Sequence, residues 1–309
     1  MPSQPVGRYE RSMNAANDPT SLVISAAFVV AALIFPVVAV IGALRRVPQS
    51  AESDPFEPSR VLPPPLPFGK VSVVHYQPLD LLPVALIFSA FSLLVVSSLS
   101  APASPERELA VSDLVMNIGF QIFIAGTVLV YMMRRTTAAD WLGLRWPAWP
   151  KVFFIAPASV MGMWLIFGVL QACGYMQWME SLGAETMQES VKLLQTTEDP
   201  AVLWLMALAA VLVAPLCEEL LFRGYLYPVA KKFTGPWLAA CSSALFFAAA
   251  HGNLSAMLPL FLFGLLLVWI YEKTGSLWAP IAVHFCFNGA TVTVQMAARY
   301  FNIPLDAAL

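Results

Sequence analysis

The stretch "AVLWLMALAAVLVAPLCEELLFRG", residues 201–224, decides how this chain is read. Its first seventeen residues carry no charge, and then Glu218, Glu219 and Arg223 fall within six positions. On a soluble helix these three would form an ordinary solvated face. Inside a bilayer each charge costs roughly a few kcal/mol or more unless it is paired or faces water. The rest of the chain chooses between the two settings. Hydrophobic residues make up 59% of 309 and charged residues only 12%. Mean hydropathy is +0.71, well above the balance of a soluble domain. Apolar runs able to span a bilayer, roughly 17–25 residues, recur near 21–44, 80–99, 114–133, 152–172, 201–222, 237–250, 254–271 and 277–298. The fold expected is all-α: a polytopic integral membrane helical bundle with seven or eight transmembrane helices.

Outward from that stretch the chain divides by composition. Residues 1–44 hold a polar lead and the first span. Residues 45–79 are a Pro-rich linker ("VLPPPLPFG"), 80–199 accessory helices and loops, 200–298 the segment carrying the polar motifs, and 299–309 a tail. The first apolar run is too long for a signal peptide, contains Pro36 and lacks a strong basic region before it, so it reads as a retained anchor. The 173–200 loop is acidic and partly amphipathic ("ETMQESVKLLQ") and predicts a short interfacial helix. Twelve Lys and Arg (among them Arg45, Arg46, Arg134, Arg135, Arg145, Lys231, Lys232 and Lys273) fall on one side, and five (Arg8, Arg11, Arg107, Lys192 and Arg299) on the other. The positive-inside rule puts the twelve in the cytoplasm, in a multi-pass protein of the cell (inner) membrane. The partners expected are the lipid bilayer and a membrane-tethered protein or peptide. No basic stretch points to nucleic acid, and nothing in the pattern sets an oligomeric state. Cys173, Cys217, Cys241 and Cys286 show no C-x-x-C spacing and read as small buried hydrophobes.

Within the charged cluster, successive helix residues point ~100° apart, so Glu218 and Glu219 cannot share a face. Glu219 and Arg223 stand at i and i+4 and can pair. Glu218 is left without a local partner, beside a Pro215 that removes a backbone hydrogen bond and marks a kink. The plainer alternative is that all three sit at the water interface. Two further segments weigh against it. "FFAAAHGN" sets Phe247 and His251 one turn apart, and "APIAVHFCFNGA" sets His284 and Asn288 on one face of the last helix. If the basic membrane boundary crosses near Gly224, Glu218 lies ~9 Å deep, His251 ~13 Å, His284 ~10 Å and Asn288 ~16 Å. One band then holds all four, on the cytoplasmic side, with the "HGNLS" turn buried and a cavity expected to open to the cytoplasm.

A carboxylate beside two imidazoles suits water activation, the carboxylate acting as general base. Asn288 can donate to an oxyanion. His251 and His284 can also contribute to a Zn²⁺ or other divalent site. With Glu218 serving as base, only two imidazoles remain as ligands, and a metal-free Glu/His mechanism stands equally open. Neither H-E-x-x-H nor G-x-S-x-G is present.

The three patterns together, "EELLFR" (Glu218 to Arg223), "FAAAH" (Phe247 to His251) and "HFCFN" (His284 to Asn288), resemble those of the CAAX prenyl endopeptidase and bacteriocin-processing family (CPBP, Abi-type) of intramembrane proteases. The resemblance covers about residues 200–292. It implies an endopeptidase acting on membrane-associated substrates. Glu218 would activate water with His251, His284 and Asn288 would complete the site, and Glu219, Arg223 and Phe247 would support it. A second class stays open beside it: a non-catalytic scaffold or immunity protein that uses the same fold to bind peptides or protein partners. A transporter is disfavoured because the first half carries no repeat of the polar residues.

Overall fold

The computed structural model describes residues 19–44, 69–100, 110–186 and 188–301. They form eleven helices: α1 Pro19–Leu44, α2 Leu81–Ser100, α3 Val111–Met133, α4 Ala138–Trp141, α5 Val152–Ala172, α6 Tyr175–Ser181, α7 Glu189–Thr196, α8 Pro200–Thr234, α9 Pro236–Ala250, α10 Leu254–Thr274 and α11 Trp278–Tyr300. Among the described residues there is no strand. Helix is what a lipid-facing chain must adopt, because every backbone N–H and C=O has to be satisfied within the segment. The eight apolar runs all become helix, and six of these helices are long and apolar enough to cross a bilayer. The sixth run, α9, has only 15 residues, about 22 Å at the α-helical rise. The 173–200 segment holds two short helices, α6 and α7, and α7 takes in most of the amphipathic stretch that predicted one. Much of the Pro-rich linker, residues 45–68 with Arg45, Arg46 and Arg60, lies outside the described residues, as do Arg8, Arg11 and Arg107 and the tail from 302.

Helix α9 is the axis of the bundle, and its composition explains why. Its Ala and Ser positions present little bulk, so neighbouring backbones approach closely. A Cβ added at Gly264 of α10 would sit 2.9 Å from Ala244 Cβ, so only glycine fits at that crossing. On the opposite side Ser242 Oγ donates to Ala31 O of α1 at 2.7 Å. Phe246, fully buried, gathers Phe28, Phe88, Phe91 and Phe222 around it at centroid separations of 3.9 to 5.7 Å. Helix α11 packs along α5 and beside α10.

The basic end of the bundle is tied shut by short polar segments. Lys70 N donates to Glu272 O at 2.9 Å, and Leu277 N donates to Leu142 O at 2.9 Å. Gly143, at φ 63°, lies against the α10–α11 turn so closely that a Cβ there would fall 1.8 Å from Gly275 O. Asp80 is fully buried and receives Arg135 Nη1 at 2.8 Å. Lys231 Nζ bonds Glu272 Oε1 at 2.6 Å.

Helix α8 is irregular on both sides of the charged cluster. Two π-helical stretches, Ala209–Val213 and Glu219–Leu226, bracket the short α segment Ala214–Glu218. Such wide turns loosen the backbone ladder and are common at functional sites. Here a carbonyl in each is taken up from outside the helix. Asn288 Nδ2 donates to Ala210 O at 2.8 Å. Tyr76 Oη and Trp141 Nε1 donate to Gly224 O at 2.6 and 3.0 Å. The irregularity expected at Pro215 is therefore found as two wide turns flanking it.

Candidate active site

Glu218, His251, His284 and Asn288, brought by α8, the α9–α10 turn and α11, line one cavity of about 490 Å³. Glu218 Oε2 is buried, has no hydrogen-bond partner among the described residues, and lies 3.9 Å from His284 Nε2. Atoms at that spacing can both reach one water at a hydrogen-bond distance of about 2.8 Å.

Both imidazoles are held by their other nitrogen. His251 Nδ1 donates to Phe247 O at 2.8 Å, since a carbonyl can only accept. His284 Nδ1 lies 2.8 Å from Glu219 Oε1 and donates to that carboxylate. In each ring this leaves Nε2 for the cavity side. The His284 side chain is 4% exposed, whereas His251 is open to the cavity. The "HGNLS" turn, expected to be buried, is so only in its second half: Leu254 and Ser255 are buried, while His251 is exposed and Gly252 and Asn253 are half-buried. Its Asn253 caps α10 by accepting from Ala256 N at 2.8 Å.

Glu219 does more than the i, i+4 pairing predicts. Its Oε1 accepts from Arg223 Nη1 at 2.8 Å as well as from His284, and neither Glu219 nor Arg223 is exposed at all (0%). Arg223 also lies 4.4 Å over the Phe247 ring and donates from Nη2 to Gly264 O at 3.3 Å. Phe247 in turn contacts the rings of His251 and His284 at centroid distances of 4.8 and 6.0 Å. One aromatic ring therefore packs against the Arg223 guanidinium and both imidazoles, while Glu219 bonds His284 directly. Asn288, read from sequence as an oxyanion donor, already spends one N–H on Ala210 O; its second N–H is the one left for a ligand.

The cavity departs from expectation in its direction. The site residues sit toward the basic end, His284 being six residues into α11. Between them and that end, residues 221–230 are all buried. The lining runs the other way, past Ala214 and Ala210 of α8, along α11 to Gln295, and out to Gln188 and Gln195 beside and on α7. Its lining therefore extends toward the end away from the basic loops. Sequence reading also missed the amides along this route, Gln121, Gln171 and Gln295 among them. Gln171 stands alone on an apolar helix, whereas Gln121 donates to Asn117 one turn away at 2.8 Å, and that i, i+4 amide pair is the signal the sequence offered.

Among the described residues no group of three or more His, Cys, Asp or Glu side chains is placed to hold a metal ion. The donor set His251, His284 and Glu218 does not make a three-ligand site in this arrangement.

A family model described as type II CAAX prenyl endopeptidase Rce1-like matches residues 200–290. An uncharacterized 24.3 kDa protein of Escherichia coli is 30% identical over 178 residues, which cover 53% of this chain and 76% of that protein. The chain belongs to the Rce1-like (CPBP) family. Two other relatives match over shorter stretches. "Putative membrane peptidase YdiL" of Bacillus subtilis (strain 168) is 27% identical over 92 residues, 30% of this chain and 38% of that protein. UPF0177 protein YxdF of Lactococcus lactis subsp. lactis (strain IL1403) is 31% identical over 78 residues, 25% of this chain and 42% of that protein. The chain thus spans less than half the length of these two. No solved structure matches it. The Rce1-like match takes in Glu218, Glu219, Arg223, Phe247, His251, His284 and Asn288, and it points to a membrane peptidase. Gln121, Gln171 and Gln295 lie outside it.

Proposed function

We propose that the protein is an intramembrane endopeptidase that hydrolyses peptide bonds of membrane-associated substrates with a water activated by Glu218. The single observation that carries this reading is the Glu218 carboxylate oxygen, buried and unpartnered at the floor of a cavity, 3.9 Å from His284 Nε2. Glu218 takes a proton from the water, whose oxygen adds to the substrate carbonyl carbon. His251 Nε2 accepts a hydrogen bond from the same water and orients it. The free N–H of Asn288 donates to the oxyanion as the tetrahedral carbon forms. The C–N bond then breaks, and the proton held by Glu218 passes to the leaving nitrogen. Glu219, through the bond from His284 Nδ1, sets the angle of the second imidazole and is a positioning residue. In this reading the catalytic segment is 200–298, the membrane is the cell (inner) membrane, and the site lies in the cytoplasmic half of the bilayer.

The test compares the parent protein and Glu218→Gln in liposomes, both offered the same pool of membrane-tethered peptides, some prenylated. Cleavage by the parent and none by the variant, with equal unfolding midpoints, is the expected result. Equal cleavage by both removes Glu218 from the chemistry. Tight peptide binding without cleavage by either supports the scaffold reading.

A further inference from the structure

The cavity above the Glu218 floor has a lining that water activation does not account for. Of nine glutamines in the chain, five, namely Gln121, Gln171, Gln188, Gln195 and Gln295, line this one cavity. They come from α3, α5, the segment leading into α7, α7 itself and α11, so no single helix face explains the convergence. The side-chain carbonyl oxygens of Gln121, Gln171 and Gln295 are buried and have no hydrogen-bond partner among the described residues. Gln295 is itself only 3% exposed. A buried amide oxygen without a partner has given up its water and gained nothing for it, so three around one cavity point to a ligand that supplies N–H groups. Apart from Glu218, no Asp, Glu, Lys or Arg lines the cavity, and the wall between the amides is apolar, with Trp164, Phe167 and Leu170.

Primary amides match one ligand chemistry closely. Each offers an acceptor and donors in one plane, as a peptide group does, and can pair with main-chain N–H and C=O whatever the side chains are. The dimensions agree. From His284 to Gln295 is eleven residues of α11, ~16 Å at 1.5 Å per residue. An extended chain advances ~3.3 Å per residue, so about five residues fill the distance from floor to amides.

Resting on the hydrolase reading, we propose that this corridor is a track for an extended, uncharged peptide backbone, gripped by the amides of Gln121, Gln171 and Gln295, with about five residues between the corridor mouth and the bond at Glu218. Recognition of this kind reads unfolded chain and rejects charge, and it is tolerant of side-chain identity.

The experiment measures binding apart from cleavage. Full-length Glu218→Gln protein in nanodiscs is titrated with a fluorescein-labelled, end-capped eight-residue peptide of Ala, Leu and Val, and with its depsipeptide twin, in which two amides of the five-residue reach are esters. An ester keeps the shape and deletes the N–H donor. The amide form should bind about tenfold more tightly, and the gap should shrink to less than about twofold when Gln121→Leu, Gln171→Leu and Gln295→Leu are combined. Gln171→Leu alone should narrow it partly, which keeps the test usable if the triple variant does not fold. Equal binding of amide and ester forms, a gap that survives the triple variant, or no binding at millimolar peptide overturns the track. Cleavage by the parent protein is scored separately with the unlabelled peptide. A peptide that binds with the expected gap and is never cut overturns the hydrolase reading and leaves the track standing.

Discussion

Replacing Glu219 by glutamine should separate what holds the bundle together from what shapes the site. Glu219 Oε1 accepts from Arg223 Nη1 and His284 Nδ1, each at 2.8 Å, with no solvent reaching the ion pair. The amide keeps the shape and the accepting oxygen and deletes only the charge. Breaking a buried pair on one side costs about 3–5 kcal/mol, because the surviving ion is left uncompensated. The surviving guanidinium still has the Phe247 ring beneath it and Gly264 O beside it. The loss should therefore fall at the low end, about 3 kcal/mol. Removing the cation as well, in Glu219→Gln/Arg223→Met, should bring stability back to within about 1 kcal/mol of the parent, since a buried pair exchanged for apolar volume is close to neutral. Activity should not follow. In both variants His284 donates to a neutral amide in place of a carboxylate, and kcat should fall by about 10–100-fold, the range found when a metal-bound histidine loses such a partner. Stability would be read from reversible unfolding in mixed micelles titrated with SDS, and activity from kcat on a cleaved peptide. A single variant as stable as the parent, or a double variant that regains kcat together with stability, would refute the assignment of Glu219 as the link between ion pair and imidazole.

Other outcomes follow from the same geometry. Asn288→Ala removes the donor to Ala210 O and should cost about 1 kcal/mol in unfolding free energy, while lowering kcat far more than that bond explains. Tyr76→Phe and Trp141→Phe should each cost about 1 kcal/mol, and the double variant more than the sum, because only then is Gly224 O left without either donor. Gly143→Ala should lower the unfolding free energy by about 2–4 kcal/mol, the side chain being forced against Gly275 O at positive φ. Cysteines placed at Arg145 and Gln188 in an otherwise cysteine-free chain should react with an impermeant maleimide from opposite faces of the membrane, Arg145→Cys from the cytoplasm; labelling from one face would sink the orientation.

What the sequence disclosed depended on range along the chain. The Glu219–Arg223 pair lies within one helical turn, and i, i+4 spacing is enough to find it. The Glu219–His284 bond joins residues 65 apart, and helical periodicity carries no information about which buried group meets which. Asn288 was legible as a polar residue on the right face, yet its partner Ala210 O belongs to a wide turn that an α-helical reading does not contain. The meeting of Glu218, His251, His284 and Asn288 was accessible through depth, because rise per residue is fixed. The direction of the opening was not, because it depends on how densely Leu221–Ala230 fills the basic end. The five glutamines were the hardest to see: an amide on an apolar helix, as at Gln121, Gln171 and Gln295, is ordinary interhelical glue, Gln188 and Gln195 lie in a polar stretch, and only packing brings them together.

The two wide turns of α8 have a consequence for phase. In a regular α-helix residues four apart drift by ~40° per step, so Ala210, Ala214 and Glu218 would spiral away from a common line. A π turn takes more residues per revolution and turns the chain back, which lets all three face the corridor. Helix α8 thus behaves as an indexed shaft. Changing its length beyond either wide turn leaves the floor of the site facing the corridor. Deleting one residue between Ala209 and Glu218 would rotate the carboxylate by ~100° and aim it at lipid or at a neighbouring helix.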